Sequence, residues 1–169
     1  RNVVENGKTL IQCDSFHQNT AKFYNREKLH ASLGFDNFYS IEDMEEYGVV
    51  NTCETISEYN LDSQTMEKMQ DEMFPKTSLN EQFLTFWITY SMHGNFRYRQ
   101  TFIDAGYYDK LDSVGAFPAG SGEEDKDFLR TYAAAVMDFD KAVGIMMDKL
   151  EENGQLDNTT IVMFSDHNT

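Results

Sequence analysis

Short apolar runs alternate along this chain with stretches whose apolar residues recur every three or four positions. Lys8 to Cys13 (KTLIQC) reads as a strand, preceded by Glu5-Asn6-Gly7, which would close a helix with glycine in a left-handed cap. Asp14 to Asn19 then reads as a loop, and Thr20 to Leu33 as a helix stopped by Gly34. Asn37 to Ser40 is a short strand, with Ser40 capping a turn of helix over Ile41 to Glu46. Gly48 to Asn60 has no clear period. A helix starts at Asp62 or Ser63 and runs to about Phe74, ahead of Pro75. Phe83 to Ser91 (FLTFWITYS) is the strongest strand, dense in aromatic and β-branched residues. One or two short helices around Thr101 to Leu111 break an irregular stretch. Glu123 to Asn153 is the longest helix, with Phe128, Tyr132, Ala135, Val136, Phe139, Val143, Met146, Met147 and Leu150 as its apolar stripe. Thr159 to Ser165 (TTIVMFS) reads as a last strand entering the core. The succession predicts an α/β fold with a mostly parallel sheet flanked by helices.

Composition agrees with a folded chain. Hydrophobic residues make up 40% and aromatics 14% of 169 residues, the balance of one globular domain. The 29 acidic and 14 basic side chains leave a net charge of -15, which excludes a nucleic-acid partner because no basic stripe exists to meet the phosphates. The longest apolar run, Phe83 to Tyr90, is too short to cross a bilayer. Cys13 and Cys53 match no zinc spacing and are expected as two free core thiols, with a single bridge open to them in an oxidising compartment. Arg1 at the start, and an end just beyond a predicted buried strand, lead us to expect a piece of a longer protein.

Three of the four histidines fall just past predicted strands: His17, His93 and His167. Parallel α/β sheets bind ligands outside the carboxyl ends of their strands, so these imidazoles are expected to converge on one rim. His30, in mid-helix, is expected to pack or face solvent. Asp166-His167 offers oxygen and nitrogen donors to a divalent cation, with Asp14 and His17 as conceivable further donors. The segment FHQNTAKFYNR (Phe16 to Arg26) combines His17, Asn19, Thr20, Tyr24, Asn25 and Arg26. A helix start and a guanidinium there suit an anion, although Thr20 or Asn19 capping the helix explains part of the pattern equally well. Glu123-Glu124-Asp125 favours the positive end of the long helix. Met66, Met69 and Met73 are read as packing, and Glu42 to Glu46 and Glu151-Glu152 as solvated faces.

FHQNTAKFYNREKLHASLGFDNFY, WITYSMHGNF and the run from Tyr132 to His167, in that order, resemble lipoteichoic acid synthase and related phosphoglycerol transferases. These form a sulfatase-like branch of the alkaline phosphatase superfamily. The resemblance implies that residues 1–169 are part of a sulfatase-like catalytic domain, incomplete and with the nucleophilic threonine and membrane helices lying elsewhere. It implies a membrane-anchored enzyme at the outer face of a bacterial cell. Such enzymes move glycerol phosphate from phosphatidylglycerol through a phospho-threonine, with a divalent ion, usually manganese (magnesium or zinc as alternatives). By the same resemblance His17, Asn19, Tyr24, Arg26 and His93 line the glycerol phosphate pocket, and Asp166 and His167 are metal ligands. Asn19 stands where the family often has Asp, Tyr24 where it often has Trp, and Gln18 where Gly is common. The isolated chain is expected to be inactive, and self-association through exposed sheet surface is expected. A sulfatase or phosphodiesterase of the same superfamily, or a non-catalytic binding domain, are the competing readings.

Overall fold

The computed structural model of the chain describes residues 4–5, 8–9, 11–77, 81–97, 99–116 and 123–167. Its centre is a parallel sheet of three strands in the order β4-β3-β5. The middle strand, β3 (Ile11–His17), pairs with β4 (Asn37–Tyr39) on one side and with β5 (Gln82–Ile88) on the other. Two shorter strands, β1 (Val4–Glu5) and β2 (Lys8–Thr9), pair antiparallel ahead of it. Glu5 therefore lies in a strand, not in the last turn of a helix. The apolar run that begins near Lys8 continues through Asp14 and Phe16 to His17, so the loop expected over Asp14 to His17 is strand. Burial on both faces permits this: Ser15 and Phe16 are fully buried although they alternate polar and aromatic.

The pleat sorts the sheet rows. Ser15, Phe38 and Phe86 share one row and Phe16, Tyr39 and Trp87 the next. On the Phe16 side, the rings of Phe16 and Tyr39 stack 4.7 Å apart. There α2 (Ile41–Glu46), α4 (Asp62–Met73) and α7 (Glu123–Glu152) close the main core around Ile41, Met44, Met66, Met69 and Met73. The three methionines of α4 are fully buried, each contributing roughly 1.5–3 kcal/mol of apolar transfer. On the Ser15 side lies α1 (Arg26–Leu33), whose His30 is buried, hydrogen-bonded to Ser15 Oγ at 2.8 Å and 4.7 Å from the Phe38 ring. A second apolar cluster packs α5 (Gln100–Asp104) and α6 (Tyr107–Ser113) against α7 through Phe102, Tyr108 and Ala134.

Punctuation residues set several boundaries as expected. Gly34 ends α1 with φ +97°, a conformation costly for any other residue. Ser40 starts α2, its N–H and Oγ both donating to Asp43 (2.8 and 2.7 Å). The ambiguous stretch contains the single turn α3 (Thr52–Thr55), capped by Asn51.

Further expectations change. The helix expected from Thr20 starts at Arg26, because Tyr24 and Asn25 adopt left-handed φ of 52° and 55° after a 3-10 turn. The buried stripe of α7 runs through Thr131, Ala134, Ala135, Asp138, Ala142, Met146 and Leu150, while Phe128, Tyr132, Val136 and Met147 are exposed. Of the inward alanines, Ala134 and Ala135 pack against α5 and α6, and Ala142 packs into the main core. Finally, Ile161 to Ser165 form no strand and are exposed, with Val162 at 73% and Phe164 at 75%. The apolar pattern is present, but a strand needs a paired neighbour, and neither described edge of the sheet pairs with it. Cys13 and Cys53 are free thiols, partly buried rather than in the core. Among the described residues no helix is long and apolar enough to cross a membrane.

Candidate functional site

The chain leaving β3 turns toward β4, while the chain leaving β5 runs away to α5. The carboxyl ends of these two strands lie side by side, at the crevice position where parallel sheets bind ligands. His17 closes β3 on one side of it, and Tyr90 to His93 follow β5 on the other.

His17 is buried, and its Nδ1 lies 3.2 Å from the Ile88 carbonyl. A carbonyl only accepts, so Nδ1 carries the proton and Nε2 keeps its lone pair. Burial lowers the His17 pKa to about 4, outweighing the Ile88 hydrogen bond, with the charges of Arg26, His30 and His93 lowering it further. His17 is thus a neutral acceptor at physiological pH. Its ring centroid lies 5.5 Å from that of Tyr90, which lies 5.9 Å from His93. Asn19 spans the crevice: its Nδ2 donates to the Tyr90 hydroxyl at 2.9 Å, and its Oδ1 accepts the Thr20 N–H at 2.7 Å. Asn19 is a cap for the turn at Thr20, not for α1. Gln18 is buried and ties the strand end to α4 by donating to Leu61 O and Thr65 Oγ1 at 3.1 and 2.8 Å.

Arg26 reaches this wall from the first residue of α1. Its guanidinium carbon lies 6.0 Å from the Phe23 ring and 5.9 Å from the Tyr24 ring. Its Nε is buried and makes no hydrogen bond, so one charge-assisted donor is unspent. Burial pulls the Arg26 pKa down, while the side chains of Tyr24 and Asp166 pull it back up. Tyr24 itself stands 77% exposed, held out by its left-handed backbone.

Asp166 and His167 occupy a different setting. Their side chains are 88% and 69% exposed, with Asp166 Oδ2 3.5 Å from His167 Nε2. The charge of Asp166 reaches Arg26 and raises its pKa. The structure thus brings together His17, Asn19, Tyr24, Arg26 and His93, and leaves Asp166-His167 at the margin. Asp14 does not join His17 as a donor. An odd spacing turns the two toward opposite faces of β3, and Asp14 instead accepts from Gln12 and Asn37, each at 2.9 Å. Among the described residues no three His, Cys, Asp or Glu side chains form a group able to hold a metal. The carboxylate and imidazole of Asp166-His167 are the right donor types for a divalent ion, but they make only two ligands.

Several residues that shape the crevice were not singled out by the sequence pattern. Tyr59 packs between Tyr90 and His93, with ring centroids at 4.7 and 4.8 Å. Asp62, fully buried at the start of α4, accepts the N–H groups of Tyr90 and Ser91 at 2.7 and 3.0 Å. Burial pushes its carboxyl up to about 7 and the charge of Asp138 adds to this, against those two hydrogen bonds. Asp138, also fully buried, accepts from Asp62 N at 2.7 Å, Ser63 Oγ at 2.5 Å, Tyr107 OH at 2.8 Å and Ser91 Oγ. It caps α4 from another helix, a role normally filled locally. The one sequence signal was a charged residue on the inward alanine face of α7.

The chain belongs to the sulfatase family, whose profile it matches over residues 11–169. The more particular likeness is to lipoteichoic acid synthases. It is 26% identical over 152 residues to the lipoteichoic acid synthase-like YvgJ of Bacillus subtilis, covering 90% of this chain and 21% of that protein. It is 29% identical over 156 residues to lipoteichoic acid synthase 2 of the same organism, covering 90% and 20%. A crystal structure of the lipoteichoic acid synthase LtaP from Listeria monocytogenes superposes with a TM-score of 0.58 at 25% identity, covering 86% of this chain and 31% of that one. The chain thus spans about a fifth of the length of the curated relatives it matches. Its parallel sheet and flanking helices are those of the sulfatase and alkaline phosphatase-like fold.

Proposed function

We propose that residues 1–169 supply the anion-binding wall of a phosphoglycerol transferase that works at the outer face of a bacterial membrane. The observation that carries this reading is the trio His17, Arg26 and His93 around one crevice: a neutral lone pair, an unspent buried guanidinium N–H and a second imidazole. Glycerol phosphate, drawn from phosphatidylglycerol, has the matching groups. A glycerol hydroxyl donates to His17 Nε2, and the phosphate oxygens take the Arg26 donors. Against a chain charge of -15, a local cation such as Arg26 is what an anionic substrate requires. Tyr24 and Asn19 shape the entrance, and Tyr90 holds Asn19 in place.

Asp166 and His167 are the chain's contribution to a divalent metal site, for which manganese suits the donors, with magnesium or zinc as alternatives. Such an ion, when bound, offsets phosphate charge and activates a nucleophile. The remaining ligands and the nucleophilic threonine lie outside this chain, so the isolated chain is expected to be inactive. The names of the lipoteichoic acid synthase relatives support transfer over hydrolysis. The family match alone equally admits a sulfate-ester or phosphodiester hydrolase.

The test is made in the longer protein that carries this chain. His17→Ala and Arg26→Ala should each lower transfer of glycerol phosphate at least about a hundredfold, the scale of one preorganised hydrogen-bonding group lost from a reaction site. Full transfer activity in both variants overturns the assignment. Sulfate-ester cleavage without transfer in the unaltered protein moves the reading to a hydrolase.

A further inference from the structure

We infer that Arg99 is a positioning residue for this site: its guanidinium clamps the turn that carries His93. Arg99 is 5% exposed, and burial lowers its pKa. A buried cation is costly unless it returns specific bonds. Here those bonds go to backbone carbonyls on one turn. Nη1 donates to Ser91 O at 3.1 Å and Nη2 to His93 O at 3.0 Å, so the fork grips both sides of Met92. The guanidinium carbon lies 4.6 Å from the Tyr59 ring, whose centroid is 4.8 Å from His93 and 4.7 Å from Tyr90. Arg99 therefore fixes His93 twice, through the carbonyl of its backbone and through the ring it packs on.

The other side of the same turn is held independently. Asp62 binds the Ser91 N–H and Asp138 the Ser91 hydroxyl. Between these supports the turn has little freedom, and the His93 ring faces Tyr90 and, beyond it, His17. Filling the space between Tyr59, Phe96 and Phe102 needs only an apolar stem. The planar two-armed donor is what the clamp requires, and lysine, with one ammonium, does not span both carbonyls at once. Glu58, Asp62, Tyr59 and Tyr108 are the charged or titratable groups that act on Arg99. Its backbone N–H is bound by the Tyr108 hydroxyl at 3.1 Å, which fixes the start of the side chain.

The inference rests on the proposed function only for the identity of the ligand, so the experiment has two arms. In the 169-residue chain with labelled histidines, magnetic resonance reads the ring contacts of His93 with Tyr59 and Tyr90, using His30 as an internal control for folding. In Arg99→Lys those His93 contacts should fall at least about twofold while the His30 signal stays in place. Arg99→Met, which keeps the stem and removes the charge, should do the same. Titration with glycerol 3-phosphate should give an apparent Kd about tenfold weaker in both variants, the scale of one charge-assisted hydrogen bond. Unchanged His93 contacts in both variants overturn the inference. So does loss of the His30 signal in both, which would make Arg99 a core residue of the whole fold. If the unaltered chain gives no response to glycerol 3-phosphate, the pocket reading fails, and the ring contacts still decide the role of Arg99.

Discussion

Two segments of this chain carry nearly the same signal and meet opposite fates. WITYSMH ends at His93 and IVMFSDH ends at His167; each is an apolar run followed by serine, one residue and histidine. The first becomes β5 and a turn held by Asp62, Asp138 and Arg99. The second stays irregular and exposed. The difference lies in neighbours rather than in propensity. β5 pairs with β3 along its whole length, and the polar groups beyond its end find fixed partners in α4, α7 and Arg99. Residues 161–165 have the β-forming side chains without the paired backbone. A histidine after a strand is held in place only when both conditions are met.

The largest way to break this contrast is to remove the keystone of the first segment. Asp138→Ala should destabilise the chain by about 3–5 kcal/mol, because it leaves several buried donors unsatisfied together. Chemical denaturation measures this, and a loss below about 1 kcal/mol would remove Asp138 from the account. Asp62 gives a subtler test through pH. Its folded pKa, near 7, stands above the ordinary 3.8, so the folded state holds a proton that the unfolded state has lost across that interval. Its contribution is complete below about 4 and is lost as pH rises through about 7. His17, lowered to about 4, has the opposite slope over part of the same range. The stability of the unaltered chain minus that of Asp62→Asn cancels the His17 part. That difference should fall with rising pH between about 4 and 7, by up to about 1.4 kcal/mol per pH unit, and then level off. A flat difference would mean that Asp62 is ionised throughout. The smallest effect belongs to the second segment. Changing Val162 and Phe164 together to serine should move stability by no more than about 0.5 kcal/mol, since both are mostly exposed.

The sequence made much of the frame legible. Gly34, Ser40 and Pro75 punctuate the chain through local backbone chemistry, and α2, α4 and β5 appear close to their expected limits. Errors arose wherever tertiary partners decide. β3 reaches His17 because both of its faces are covered, which makes Asp14 and Ser15 strand residues despite their polarity. α1 starts late because Tyr24 and Asn25 take left-handed φ, which Asn tolerates but a bulky Tyr disfavours. On α7 the inward face takes Thr131, three alanines, Asp138, Met146 and Leu150, while Phe128, Tyr132 and Val136 lie outward. In the crevice, His17, Asn19, Arg26 and His93 stand out through residue type and their place after strands. Tyr59, Asp62, Arg99 and Asp138 do not, since their roles come from contacts between residues far apart in the chain.

The late start of α1 has a consequence of its own. The helix opens on Arg26, with Asn25 making no side-chain cap, so a cation sits against the positive end of the peptide dipoles. Like charge at that end weakens the first turn, and Glu27 beside it only partly compensates. An anion held by Arg26 would supply the missing negative charge. Ligand binding and the tightening of α1 would then be one event, and the first turn of this helix would report on whether the crevice is filled.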